Sequence, residues 1–414
     1  MFLGVFSQRL LQQGSRTVCQ WSVIGCLAML AVAFQLKGFY HLTVGTEQGD
    51  AIDLRLRWCE EHYFMQGRNP FDVWLTHSPR AQLKGSPNVV TSRSTVIDPA
   101  LRVCDPAHPP WGFVSGLIFF FPSWPAVRWY FACVNLVAIV VIGAWAWQKG
   151  RAYDLWTGLL WGVAVMAVGG TATALEVGQY SILVTGCLVA TLWCVQHGRE
   201  GIGGFLLGIA MAKPTIAGPF LLALVIHKRL RMLAVTMLYV AIASSITWLV
   251  TKTHPGEMLQ QLLAVGTVIS QDGSLGPITF LLAMDIPRTA ATLLGMASIL
   301  LAAMLVLLLS QRRTMLYSFA VASVAGRLWT YHKTYDDVML IFLLVALGEV
   351  VHRSRDSIMP WVAFFAVGIS LWVPGRVSHV LIFQIFQLMI WLVGVGSLFV
   401  YHSVPARVSH TSTG

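Results

Sequence analysis

Acid is scarce in this chain. Eighteen Asp and Glu are spread over 414 residues, against 28 Lys and Arg, and charged residues of both signs reach only 11%. That excludes an acidic or extensively solvated protein and makes every carboxylate worth locating. The seven cysteines, at 19, 26, 59, 104, 133, 187 and 194, form no CxxC pair, so neither a metal site nor a dithiol redox site is expected of them. Most read as buried apolar fillers. No glycine-rich phosphate loop, dinucleotide fingerprint or DxD motif occurs, and Asp336-Asp337 is not one, which disfavours a soluble nucleotide donor. Internal repeats, low-complexity runs and soluble-domain linkers are also missing.

What the chain has is apolar length. It is 56% hydrophobic, with a mean hydropathy of +0.68. Its apolar runs of roughly 17 to 25 residues match a bilayer's hydrocarbon thickness. The expectation is an all-α polytopic membrane protein, one integral domain over 1–414. Spans are predicted at 20–39, 125–148, 152–171, 178–196, 231–251, 289–311, 315–332, 335–351, 358–374 and 378–402. The first is read as retained, because no small-x-small cleavage site follows it. Segment 40–110 forms a large outer loop, 111–402 the remaining bundle and 403–414 a cytoplasmic tail.

The net charge of +10 sits in short clusters between spans, as orientation signals do, and does not call for nucleic acid. Arg9, Arg16, Lys149, Arg151, Arg199, Lys228 to Arg231, Arg312, Arg313, Arg353 and Arg355 sort to one side, cytoplasmic by the positive-inside rule. Loop 40–110, the turn 172–177, loop 252–288, the junction 332–337 and the turn at Arg376 sort to the other. Segment 111–121 is too short to span and is bounded by prolines, which suggests a half-inserted outer helix. Segment 201–226 begins and ends at cytoplasmic charges and is broken by Lys213-Pro214, giving two short helices with Lys213 at their apex.

Candidate chemistry concentrates outside. Asp50 and Asp53 are three apart and would share a helix face. Glu60 and Glu61 read as a solvated face, and Asp72 as a turn residue. Glu176, Gly178 and Gln179 lie in a tight turn, where capping the following helix is the simplest role. Lys213 is an ionisable group at membrane depth, a functional candidate unless it snorkels or pairs with an acid. The run from Arg327 to Asp337 packs cations, aromatics and acids at one junction, and Arg376 and His379 add positive potential suited to a phosphate. Cys59 and Cys104 share the outer loop and are a candidate disulfide if that side is oxidising.

These residues resemble a known family. Asp53 is followed fourteen residues on by Gly67-Arg68-Asn69-Pro70-Phe71-Asp72. Then come His108-Pro109-Pro110 opening an apolar segment that closes at Pro122, the stretch Gly178-Gln179-Tyr180-Ser181-Ile182-Leu183, the stretch from Gly203 to Pro214, and His332 beside aromatics. In order and spacing, over most of 20–355, this resembles the multi-span GT-C glycosyltransferases that use polyprenyl-phosphate sugars, in particular the bacterial alpha-1,2-mannosyltransferase-like branch. The resemblance implies a bundle of about 10 to 12 transmembrane helices with outer-face loop helices. It implies transfer of a mannose, or another hexose or pentose, to a lipid-linked or cell-envelope glycan or glycolipid at the extracytoplasmic face of the inner (plasma) membrane. Asp53 matches the general base, with Asp50 as the alternative. His332 and Lys333, then Arg376 and Lys213, are expected to hold the phosphate, with Gln179, Glu176 and Tyr335 beside them. No cofactor is expected beyond the donor itself, with a divalent metal left open. Arg55 and Arg57 depart from the family's apolar pattern after Asp53. A lipid-linked glycan flippase or other transporter is the competing class, though such folds commonly show repeats.

Overall fold

The computed structural model describes residues 2–46, 50–77, 105–121, 123–269, 276–330, 332–354, 357–374, 377 and 380–401. These are helical throughout, with no strand among the described residues. Six helices are long and apolar enough to cross a membrane: Gln20–Thr43, Trp124–Arg151, Leu155–Val177, Leu230–Thr251, Arg288–Leu309 and Ile382–Tyr401. Shorter apolar helices, among them Ser181–Gln196, Met315–Leu328 and Ile358–Trp372, fill in between. The hydropathy pattern thus located the helices well, and the chain is a polytopic membrane protein.

The differences lie at the ends and breaks. Span 335–351 opens instead as a 3₁₀ turn, Thr334–Leu340, before the Ile341–Arg353 helix. The span expected from 178 starts at Ser181, because Gly178 takes a left-handed conformation (φ 73°) that closes the Gly169–Val177 helix. Leu155–Val177 is interrupted at Ala167 and Val168. Gln35 bridges that interruption, donating to the Met166 carbonyl (3.2 Å) and to Thr171 Oγ1 (3.0 Å). The predicted break at Lys213-Pro214 is present: one helix runs Glu200–Ala210, and Pro214 opens the next short turn. Two indoles satisfy carbonyls that the break frees, Trp111 Nε1 to Met211 O (2.7 Å) and Trp329 Nε1 to Thr215 O (2.6 Å).

At the centre lies Met315–Leu328, every residue of which is buried. Phe220, Phe319 and Phe342 meet edge to face there, with centroids 5.0 to 5.5 Å apart. Small residues let neighbouring helices approach: a methyl on Gly150 would lie 2.6 Å from the Thr157 carbonyl oxygen. The segment after the first span folds as helices Ile52–Met65 and Pro70–His77, and the proline-bounded segment is helix Pro110–Gly116 with a 3₁₀ turn to Phe119. Residues 78–104 and the tail 403–414 lie outside the described residues.

Several expectations are overturned here. Glu60 and Glu61 are not a solvated face; both are fully buried. Asp72 is no turn residue: it sits in the first turn of Pro70–His77 and accepts from Gln261 Nε2 at 2.7 Å. Asp50 and Asp53 share no helix face, because Ala51 between them is left-handed (φ 50°) and the helix starts only at Ile52. Cys26 and Cys133 are exposed rather than core fillers, on helices whose outer surfaces are apolar.

Gly178 faces a double constraint. Its φ is positive, and an added Cβ would meet Leu54 Cβ at 2.5 Å. Gly178→Ala should therefore destabilise by about 1–3 kcal/mol and lower Tm by a few degrees. Thermal unfolding of the detergent-purified protein measures this, and an unchanged Tm would show that the Leu54 contact is loose.

Candidate active site

Helix Ile52–Met65 is anchored before its side chains are placed. Ala51 N donates to the Glu176 carbonyl at 2.7 Å, and Leu54 packs on Gly178, so the first turn of Ile52–Met65 sits on the turn ending at Gln179. That brings Asp53 to Gln179, whose Nε2 donates to Asp53 Oδ2 at 2.9 Å. Gln179 is not the expected helix cap, since no side chain caps Ser181–Gln196. Its Oε1 accepts instead from Lys213 Nζ at 3.1 Å and from Tyr180 N at 3.2 Å.

Lys213 has reached this level because the chain climbs back from Gln196 through the Glu200–Ala210 helix, alongside Ser181–Gln196. Its ammonium donates to Asp336 Oδ1 (2.5 Å) and Ser181 Oγ (3.2 Å), and lies 4.8 Å from the Tyr335 ring centroid. Ser181 Oγ donates to the same Asp336 oxygen at 2.5 Å. Asp336 Oδ2 in turn lies 2.7 Å from His332 Nδ1, and His332 Nε2 lies 2.9 Å from Thr330 Oγ1. Beside this chain, Arg327 Nε donates to Asp337 Oδ1 at 2.5 Å. Each buried cation is thus matched by an acid, without which its desolvation would be costly.

A second cluster stands behind Asp53. Arg57 grips both oxygens of Glu60 at 2.7 Å and reaches the Asp105 carbonyl at 3.1 Å. Ala107 N donates to Glu60 Oε1 at 2.6 Å, and His108 Nδ1 lies 2.9 Å from Oε2. Burial opposes ionisation of Glu60, but Arg57, His108 and these bonds outweigh it and hold the group below the usual carboxylate range. Glu61, its neighbour, has no hydrogen-bond partner for either oxygen among the described residues. Burial and then the Glu60 charge push it well above its ordinary value, which favours the protonated form. Gly116 makes room for it, since a Cβ there would collide with Glu61 Oε1. For half-buried Asp53, burial raises the pKa against Arg57, the Gln179 bond, Lys213 and Lys333.

Sequence reasoning had singled out Asp53, Gln179, Lys213, Tyr335 and His332, and these meet here. Asp50 does not. It pairs with His41 Nδ1 at 2.9 Å, at the end of the first span. Glu176 is turned away, to Lys37 at 2.8 Å. His332 is buried and committed through both ring nitrogens, while Lys333 beside it is exposed. Arg376 and His379 lie outside the described residues. Cys59 is disulfide-bonded, and Cys104 lies outside the described residues. No group of three or more His, Cys, Asp or Glu gathers as a metal site among the described residues. Asp336 and Ser181, which hold Lys213, were missed, as were Arg57, Glu60 and Glu61. A lysine at membrane depth demands an acid, but nothing in the sequence says which of the chain's acids it is.

A polytopic helical bundle with a buried charged site at one end is the class these observations define. The chain belongs to glycosyltransferase family 87, whose family model matches residues 107–330, more than half of its length. It is accordingly a membrane glycosyltransferase. Gln179, Ser181 and Lys213 fall within the matched stretch, whereas Asp53, His332 and Asp336 fall outside it. No curated protein and no solved structure matches the chain.

Glu60 and Glu61 should respond unequally to the same substitution. Glu60→Gln leaves Arg57 buried without its counter-charge and should cost roughly 3–5 kcal/mol. Glu61→Gln breaks no hydrogen bond among the described residues and should cost less than about 1 kcal/mol. The raised Glu61 pKa also fixes a sign. Wild-type stability from this group is full below its ordinary value of 4.5 and is lost as pH rises toward the folded-state value. Glu61→Gln should lack that decline. Tm against pH for both variants measures this, and equal losses at neutral pH would refute the assignment.

Proposed function

We propose that this membrane glycosyltransferase moves a sugar, mannose or another hexose or pentose, from a polyprenyl-phosphate donor to a hydroxyl of a lipid-linked or cell-envelope glycan. The reaction takes place at the non-cytoplasmic face of the plasma (inner) membrane, the side to which the Lys and Arg clusters assign the outer loop and the 332–337 junction. One observation carries the reading: Asp53 is a half-buried carboxylate with one oxygen engaged by Gln179, in the field of Lys213 and Lys333. Among the described residues its other oxygen accepts no hydrogen bond, and we assign that oxygen to take the proton.

The chemistry needs little more. The acceptor hydroxyl oxygen bonds to the anomeric carbon, and the bond from that carbon to the donor phosphate oxygen breaks. The electron pair leaves on the phosphate, giving polyprenyl phosphate. The hydroxyl proton passes to Asp53, which returns it to solvent. Charge accumulates on the departing phosphate, where fixed positive potential stabilises it. Lys333 is exposed and makes no ion pair among the described residues, so it supplies that charge directly. Lys213 contributes through its field, its hydrogens being committed. His332 acts through Asp336 rather than by touching the phosphate.

Asp53→Asn preserves shape but removes the proton acceptor, so transfer from a polyprenyl-phosphate sugar should fall by roughly a hundredfold or more. Asp50→Asn, at the separate His41 pair, should be much milder. Because the base must be ionised, kcat/KM should fall as pH drops through the Asp53 pKa, at a midpoint above 3.8. Full transfer by a folded Asp53→Asn protein would sink Asp53 as the base, whereas absence of transfer by the wild-type protein from any polyprenyl-phosphate sugar would favour the flippase reading.

A further inference from the structure

Gln179 sits between two charged groups of opposite sign. Its oxygen and nitrogen ends are nearly the same shape, so which end faces which neighbour is decided by hydrogen-bond chemistry. An ammonium can only donate, and an ionised carboxylate can only accept. Lys213 lies 3.1 Å from Gln179 Oε1, and Asp53 Oδ2 lies 2.9 Å from Nε2. The reverse orientation would set the NH₂ against the ammonium and the carbonyl against the carboxylate, two repulsions in place of two bonds. The backbone N–H of Tyr180, 3.2 Å from Oε1, favours the same orientation.

Lys213 cannot swing away to release the amide. Its three hydrogens have three acceptors, Gln179 Oε1, Ser181 Oγ and Asp336 Oδ1, and Asp336 is itself held by Ser181 and His332. The backbone on either side is also fixed, by the left-handed Gly178 and by the carbonyls that Trp111 and Trp329 cap next to Lys213.

We infer that Gln179 is a positioning residue: Lys213 sets the direction of its amide, the amide NH₂ grips Asp53 Oδ2, and Asp53 Oδ1 is thereby left aimed at the acceptor hydroxyl. The inference rests on Asp53 being the base. It assigns Gln179 to the protein's own base rather than to the donor phosphate. It also gives the chain from Lys213 through Asp336 to His332 a use in the reaction, that of keeping one amide from turning.

The test reads the Asp53 carboxyl directly. Infrared titration isolates its protonated C=O band as the one lost in Asp53→Asn, and activity is followed with polyprenyl-phosphate mannose and a membrane glycolipid extract. Gln179→Leu removes the donor, and the Asp53 midpoint should rise by about one pH unit, the worth of a hydrogen bond to a charged group. Gln179→Glu keeps size and a partner for Lys213 but faces Asp53 with a second carboxylate, and should raise the midpoint further. It also carries the test if the leucine variant fails to fold. In both variants kcat should fall at least about tenfold with the donor KM nearly unchanged, and the acidic limb of the rate profile should move with the infrared midpoint. A folded Gln179→Glu protein with an unmoved midpoint overturns the inference. A midpoint that moves while Asp53→Asn transfers at the wild-type rate leaves the amide lock standing and overturns its part in catalysis.

Discussion

The ammonium of Lys213 is the constraint on which the site depends. It stands where the backbone of the 200–226 segment breaks, among packed helices, and such a charge must find acceptors or be expelled. It finds three, and they come from chain positions far apart: Gln179 and Ser181 at the start of one helix, Asp336 on the far side of the Met315–Leu328 helix. Satisfying one cation therefore joins segments whose local sequence gives them no reason to meet. The same break exposes backbone carbonyls, and the indoles of Trp111 and Trp329 close them from two further segments. Electrostatic and backbone demands fall at one point, so the region is fixed from several directions.

Helix Ile52–Met65 is tied to this point by a different device. Arg57 is bound to Glu60 and to the Asp105 carbonyl, Trp74 Nε1 donates to Asp105 Oδ1 at 2.6 Å, and His108 stacks on Tyr180 at 5.1 Å. The outer segment and the membrane bundle therefore share one polar core behind Asp53. The pKa values of two adjacent glutamates there are pushed in opposite directions. Among the described residues Arg57 is the one guanidinium bound to Glu60, and burial without a counter-charge favours the protonated form of Glu61. A neutral Glu61 needs only space, which Gly116 supplies.

Much of this was legible in the sequence where the physics is local. Hydropathy located apolar helices at each of the ten predicted spans, six of them long enough to cross a membrane, and a lysine followed by proline in an apolar run announced the break. The tight turn was visible at Gly178-Gln179. What could not be read was pairing at a distance. Asp336 lies 123 positions from Lys213, and nothing in its neighbourhood marks it as that lysine's partner rather than as one acid of a polar junction. Consecutive glutamates read as a solvated face, because burying two adjacent carboxylates is costly. Only the fold reveals that Arg57, one helical turn before them, and Gly116 remove that cost. The Asp50–Asp53 spacing misled for a narrower reason, since one left-handed residue between them cancels the helical periodicity.

The charge balance of the buried site bears on how a phosphate could be received. Lys213 is matched by Asp336 and Arg327 by Asp337, so the interior is close to neutral before any substrate arrives. An anionic headgroup would not enter a preformed cationic hole of the kind expected from the density of basic residues at this junction. In the proposed reaction it would meet Lys333 at the surface while the buried pairs stay closed. Their part is then to hold dipoles still rather than to bind charge. A base poised at the rim needs such rigidity more than it needs extra cations, because surplus positive charge beside Asp53 would lower its pKa and weaken it as a proton acceptor.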